Sequence, residues 1–577
     1  MGRLRKYLTP EILFIILTLA IKFAGTYVEL MIPDLMETVI DVKVPEAKAA
    51  GGNLNQVFLY GGLMLLCAAL ALAGNIIANR MSAISSGRIT RRLRHDLFNK
   101  LENLSSKQMD DMTVSSAESR LTSDTYNVNQ LLARLQRIGI RAPILLIGGV
   151  IQMVKMDTVL ALVLIALLPV ICITVYFVTK NTVPLYRKTQ DIQDELVQVC
   201  QENITGIRVI KALSKTEYEK GRFNEVNTRH SATGLKAGII NNITNPVTNL
   251  SLNIGLVLVV VVGARRVNAG ACQGGVIIAF LQYFTMILNA TLGITRVFIM
   301  WSKGQASAHR IADVLELPED LTVQPAGEAE SNAPHIEFRN VSFSYTGVGL
   351  NVDNLSFKLE RGQTLGIIGA TGAGKTVILK LLLRLYDPQS GQILIDGKDI
   401  RTYSREELSR KFGVVFQNDF IAEGTVADNI RFFRDIPEEQ VEKAARDAQA
   451  DFIWEKPGAL DYEIVVRGNN ISGGQKQRLL IARALASDPE ILVLDDVSSA
   501  LDYRTDSNLR KALRQNYRNT TTLLVAQRVS SLKHADRILV ISDSTVIGSG
   551  THEQLMETCE DYCTIANAQM GERKEGA

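Results

Sequence analysis

Along the first 300 residues the apolar positions come in blocks. Residues 12–33, 55–79, 136–154, 158–179, 247–264 and 275–300 are dominated by Leu, Ile, Val, Ala and Gly. The clearest block, DTVLALVLIALLPVICITVYFVTK, carries no charge from Thr158 to Thr179, and about 20 apolar residues suffice for a helix to cross a hydrocarbon core. One such run could be a buried helix of a soluble protein. Six of them predict six membrane spans, although the first and fifth carry polar residues such as Lys22, Glu29 and Asn253. Residues 80–132 and 181–238 are instead charged and helix-forming, so the spans on either side are predicted to continue as long helices into the cytoplasm.

After a Pro-, Gly- and acid-rich stretch at 315–334 the pattern changes. Short β-rich segments (HIEFRNVSFSY, QTLGIIG, GQILIDG, FGVVFQ, ILVLDD, TTTLLVAQ, DRILVIS) alternate with helical ones, which predicts an α/β domain. The division expected is a membrane domain at 1–314, a linker at 315–334 and a soluble domain at 335–577.

An even number of spans puts both chain ends on one side. The basic start (Arg3, Arg5, Lys6) and the basic region 80–100 make that side cytoplasmic, in an inner (plasma) membrane. Arg265 and Arg266, in a short outer connection, run against that rule. The start, MGRLRKYLTP, lacks a small-residue cleavage site, so the first span is expected to be retained. The net charge of +3 adds nothing, and six cysteines without CxxC or CxxH spacing support neither a disulfide framework nor a zinc site.

GATGAGKT, Gly369 to Thr376, follows an apolar strand and precedes the apolar helix VILKLLLRL. In that setting Gly369, Ala370, Thr371, Gly372, Ala373 and Gly374 can turn successive backbone N–H groups toward phosphate oxygens. Lys375 adds a cation, Thr376 offers a hydroxyl to Mg²⁺, and Val377 continues the loop into the helix. About 100 residues on, ISGGQKQR supplies a second Gly-rich turn ahead of an apolar helix, with ILVLDD following.

Taken together these motifs resemble those of ABC transporters, and the resemblance covers nearly the whole chain. It implies six spans fused to an α/β P-loop ATP-binding domain: a half-transporter of exporter type. ATP and Mg²⁺ would be its cofactors. Tyr345 would stack on adenine, Gln417 would be the Q-loop glutamine contacting the metal, and Asp502 would close the D-loop. Ser472, Gly473, Gly474 and Gln475 would form the signature that completes the site of a second subunit. Asp495 would hold Mg²⁺. The stretches 118–128 and 202–223 resemble the cytoplasmic extensions whose coupling helices dock on such domains.

Two positions depart from the family pattern. After Asp495 an active member has Glu, which polarises the attacking water; here stands Asp496, one methylene shorter. A misplacement of roughly 1 Å at a catalytic group can lower a rate about a hundredfold. Where the family has a switch His after Ala526, this chain has Gln527, and none of the six histidines falls there. The pair resembles the degenerate-site subunit of heterodimeric bacterial multidrug exporters. It implies a different half-transporter as partner, with an intact Glu and His. The alternatives are a slow homodimer and an ATP-gated channel or regulatory component. A soluble ATPase acting on nucleic acid is excluded by the spans. The substrate class stays open among small hydrophobic molecules, lipid and peptide. Lys22, Glu29, Arg137, Arg141, Gln282, Asn289 and Arg296 are polar groups in or beside spans that either line a pathway or join helices.

Overall fold

The computed structural model describes residues 2–325, 332–417 and 420–570. The chain divides into two compact units, Met1–Glu102 with Ser115–Leu317, and Asn103–Val114 with Pro318–Ala577. Part of the stretch expected as linker, 326–331, lies outside the described residues.

Among the described residues the first unit is built of helices joined by short turns, with no strand. Its main elements are α1 (Ile12–Thr38), α2 (Asn55–Glu102), α4 (Thr125–Arg137), α5 (Arg141–Met156), α6 (Thr158–Thr205), α7 (Thr216–Asn242), α8 (Thr244–Asn268) and α9 (Gly274–Leu315). The short α3 (Ser106–Met112), between α2 and α4 in sequence, belongs to the second unit. Five helices are long and apolar enough to cross a membrane among the described residues. The expected span 158–179 lies within α6, where the side chains at 164, 168, 171, 172, 175 and 179 fall outside the described set. Helix α2 has 48 residues. At 1.5 Å per residue that is about 72 Å, more than twice a hydrocarbon core of about 30 Å.

The expected third span, 136–154, begins inside α4 and crosses a turn at Ile138–Ile140 before α5 starts. Helices α1 and α2 approach closely because Gly25 and Gly74 face each other; a Cβ on Gly74 would lie 3.3 Å from the Gly25 Cα. Small residues allow such backbone approach where no hydrophobic driving force separates helix from lipid. Tyr283, fully buried on α9, donates its hydroxyl to the Leu30 carbonyl at 2.7 Å, and with Phe284 it belongs to the packed interior. The exceptional Arg266 meets a local counter-ion: its Nε donates to Asp157 at 2.9 Å. The other oxygen of Asp157 accepts from the N–H groups of Val159 and Leu160 and caps α6.

The second unit carries twelve strands among the described residues: β1 (Ile336–Phe343), β2 (Val352–Leu359), β3 (Thr364–Gly369), β4 (Ser390–Ile395), β5 (Lys398–Asp399), β6 (Phe412–Val415), β7 (Gly424–Thr425), β8 (Glu463–Ile464), β9 (Ile491–Asp495), β10 (Thr521–Val525), β11 (Arg537–Ser542) and β12 (Thr545–Gly550). One sheet is antiparallel, in the order β2-β1-β4-β5. The other runs β12-β11-β3-β10-β9-β6, with every pair parallel except β11 with β12. Along β9, Ile491 and Val493 enter one core while Leu492 and Leu494 enter the other. A strand covered on both faces reads as an unbroken apolar run, which is why ILVLDD looks as it does. Helix α3 joins this unit through Ser105, whose hydroxyl donates to Asp320 at 2.6 Å, through Gln108 Nε2 to the Pro318 carbonyl at 2.8 Å, and through Asp110, which accepts from the Tyr386 hydroxyl.

Candidate functional site

Parallel register brings four chain segments to one edge. Val525 lies level with Ile367 on β3 and with Asp495 on β9, and Val415 pairs with Leu494. The carboxyl ends of β3, β10, β9 and β6 therefore open side by side into the loop 369–374, Gln527, Asp495–Asp496 and Gln417. In open α/β sheets ligands bind outside these ends.

The loop needs its glycines. A Cβ on Gly369 would lie 2.1 Å from the Ile541 carbonyl oxygen, and Gly374 has φ +97°, where a Cβ would lie 2.2 Å from the Asn351 oxygen. Gly374 caps α10 (Lys375–Leu382). The Lys375 ammonium folds over the loop and donates to the carbonyls of Gly369 at 2.9 Å and Ala370 at 2.7 Å. Burial holds its pKa below the usual lysine value, against the opposing pull of Asp496 and Asp495. Thr376 donates to Asp495 Oδ2 at 3.0 Å. Asp495 is buried, and that burial raises its carboxyl pKa, with the neighbouring Asp496 charge adding to it while Thr376 and Lys375 oppose.

Asp496 sits in the left-handed region at φ +51° and hangs from β10 by its N–H to the Val525 carbonyl, 3.0 Å. Its Oδ2 accepts from Gln527 Nε2 at 2.7 Å and from Gln417 Nε2 at 3.4 Å. Burial raises the Asp496 pKa; the Gln527 amide and the Lys375 charge pull the other way.

The remaining expected residues take separate places in the unit. Tyr345 is exposed, held edge-on by Phe343 and Tyr386 at centroid distances of 5.0 and 5.1 Å, with the Lys380 ammonium 5.5 Å from its ring. Ser472 caps α11 (Gly473–Leu485). It accepts from the Gln475 N–H at 3.3 Å, while Gln475 Oε1 accepts from the Ser472 N–H at 2.9 Å. Ser472 and Gly473 are exposed. Asp502 caps α12 (Tyr503–Asn516) by accepting from the Thr505 N–H at 3.0 Å and hydroxyl at 2.7 Å.

Sequence reasoning missed two supports of the site. Buried Asp506 accepts from Ser498, past β9, at 2.9 Å and from Ser531, past β10, at 3.3 Å. Gln569 accepts from the Val529 N–H and donates to the Gln527 carbonyl, both at 2.7 Å. Neither residue stands in a Gly-rich or apolar context that would single it out.

A phosphate-cradling loop, its lysine and paired carboxylates on the carboxyl edge of a parallel sheet define a P-loop nucleotide-binding unit, here on one chain with a helical membrane unit. Family models agree on both parts: residues 12–292 match the ABC transporter transmembrane region and residues 352–499 the ABC transporter family. An ABC transporter ATP-binding protein of Mycobacterium tuberculosis is 30% identical over 98% of this chain and 97% of its own length. The protein YfiB of Bacillus subtilis, of the same description, is 31% identical over the full length of both. The structure of a bacterial Atm1-family ABC exporter with ATP bound superposes with a TM-score of 0.78 at 24% identity, covering 98% of this chain and 99% of that one; at that identity it shows the fold. The chain belongs to the ABC transporter family, with its membrane region and ATP-binding domain fused.

Proposed function

We propose that this chain is one half of an ATP-driven exporter whose own ATP site binds nucleotide but hydrolyses it slowly, and that a different half-transporter supplies the competent site. The observation that carries the reading is the 2.7 Å hydrogen bond from Gln527 to Asp496. A general base needs a carboxylate oxygen turned to the attacking water. Burial alone would strengthen Asp496 as a base, but both glutamine amides converge on its Oδ2, and its short side chain leaves little reach.

The residues fit their ligands. Lys375 and the loop Gly369–Gly374 suit the phosphates, and the exposed Tyr345 face suits adenine. Thr376 and Asp495, 3.0 Å apart, together with the Gln417 side-chain oxygen would offer Mg²⁺ hard oxygen donors of the kind it takes. Bound there, Mg²⁺ would neutralise charge on the β- and γ-phosphates. Exposed Ser472 and Gly473, ahead of a capped helix start, are free to face the partner's nucleotide. The membrane domain would be 1–314 with six spans, α6 supplying the fourth, the linker 315–334 and the ATP-binding domain 335–577, with both ends cytoplasmic and the chain in the inner membrane.

The test is purification of the chain with whatever half-transporter accompanies it, followed by ATPase assays of the pair and of the chain alone in lipid. The pair is expected to turn over ATP through the partner's site; brisk hydrolysis by the chain as a homodimer would end the reading.

A further inference from the structure

Within the predicted first and third spans, one side-chain cluster of the first unit holds more cations than carboxylates. Lys22 on α1 is 3% exposed, and its ammonium donates to the side-chain oxygens of Asn75 at 2.7 Å and Asn79 at 3.1 Å, both on α2. The charges of Arg141, Glu29 and Arg137 all act on it. Glu29 pairs with Arg141 at 2.7 Å. That leaves three cations around one carboxylate. Arg137 Nε and Arg141 Nε are buried with no protein acceptor among the described residues, Glu29 Oε2 is likewise buried with no protein donor, and Arg137 forms no ion pair there. Arg141 also stands at the first position of α5, where the helix dipole disfavours a cation and favours an anion. The break between α4 and α5 passes between the two arginines, and irregular backbone at membrane depth is tolerated where it is buried or lines a cavity.

A second observation points the same way. Farther along the same helices, α2 and α4 border an open cavity of about 1130 Å³ lined by Arg91, Arg94, His95, Tyr126, Asn127 and Asn129 among others. Among the described residues no carboxylate lines it. Arg94 donates to the Leu121 carbonyl at 3.2 Å and the Thr125 hydroxyl at 3.1 Å, both neutral groups. Between cavity and cluster α2 presents Ser86, Ser85 and Ser82 inward, all buried. Arg91 and Asn75 are sixteen residues apart on one helix, or about 24 Å.

We propose that the first unit recognises an amphipathic organic anion, a carboxylate or phosphate head on an apolar body, with Arg137 and Arg141 as the deep contacts and the basic cavity as the mouth. This rests on the reading of the unit as a transport path and names the substrate class for it. A fatty-acid-like solute and an anionic lipid of the leaflet share that chemistry. A cation excess within the spans, costly in lipid, is offset whenever the anion is bound.

The test is nucleotide-free binding to the full chain, with the partner it copurifies with, in phosphatidylcholine nanodiscs. The probes are dodecanoate, dodecyl phosphate, dodecanol and dodecylamine. The anionic probes are expected to bind at least about tenfold tighter than dodecanol, as a charge-assisted contact gives. Arg137→Gln is expected to bring that ratio near one, and Arg137→Lys to keep most of it. A ratio is read because a general packing defect would weaken all probes together. Competition by added phosphatidylglycerol assigns the leaflet as source, and its absence assigns a solute. Equal binding of charged and neutral probes, or equal loss of both in Arg137→Gln, overturns the proposal. Failure of the exporter reading would show elsewhere, as absence of ATP-dependent probe movement in sealed vesicles while the nucleotide-free preference stands.

Discussion

Gln527 donates its side-chain amide to Asp496 at 2.7 Å, joining the two positions at which this chain departs from the active ABC pattern. Each change alone reads as drift. Joined by a hydrogen bond, they form the pair on which the proposed slow site rests.

In the assembled pair, Asp496→Ala is therefore expected to leave most ATP turnover intact. The double change Asp496→Glu with Gln527→His should raise turnover at this chain's site by about ten- to a hundredfold. Steady-state phosphate release with the partner's Glu replaced isolates that site, and no gain from the double change would count against the proposed defect.

Lys375→Ala removes the cation over the loop and is expected to weaken ATP binding at this site by about tenfold or more. Binding of a fluorescent ATP analogue to the chain measures it. Because Lys375 folds onto the carbonyls of Gly369 and Ala370 rather than onto an acid, the loss should be felt in affinity more than in folding.

Gly74→Leu inserts a side chain where α1 and α2 touch, with the Gly25 backbone 3.3 Å from the first added carbon. The helices must part, and overpacking of this kind costs about 1–3 kcal/mol. Thermal unfolding in detergent should show a lower Tm, whereas Gly61→Leu, with nothing within 4 Å of its added carbon, should not.

His335 gives the ATP-binding unit a pH dependence. Burial, and then the Arg361 charge, hold its pKa below the ordinary 6.5, against Asp396 and Glu490. As pH falls the unfolded chain takes up the proton first, so stability declines below about pH 6.5 toward the folded value. His335→Asn is expected to flatten the fall in Tm between about pH 7 and about pH 5. Asp396 and Glu490 bring ligand oxygens near His335, yet Arg361 and Lys411 already pair with them, so this cluster is an ion network more than a metal site.

Much of the second unit was legible because its central strands are buried on both faces and its motifs sit at their carboxyl ends. Strand β2 was not. Asn354, at φ +47°, and the irregular pairing near Val341 shift the register, so Val352 falls out of the alternation that Leu355, Phe357 and Leu359 keep. In the first unit the blocks announced helices but hid the turn at 138–140, since Ile138 and Ile140 are as apolar as their neighbours. The surprise of Arg266 dissolved only with Asp157 in view, a residue that sequence gives no reason to pair with it. Likewise the motif residues were named from sequence, but their convergence on one oxygen of Asp496 is a product of register.

Gln569 grips the segment after β10 on both sides of Arg528, taking the Val529 N–H and giving to the Gln527 carbonyl. The helix Glu560–Met570 is thus a tether on Gln527. A proteolytic nick or bulky fusion there would slacken the loop that presents Gln527, and so retune the ATP pocket from a place that touches no phosphate.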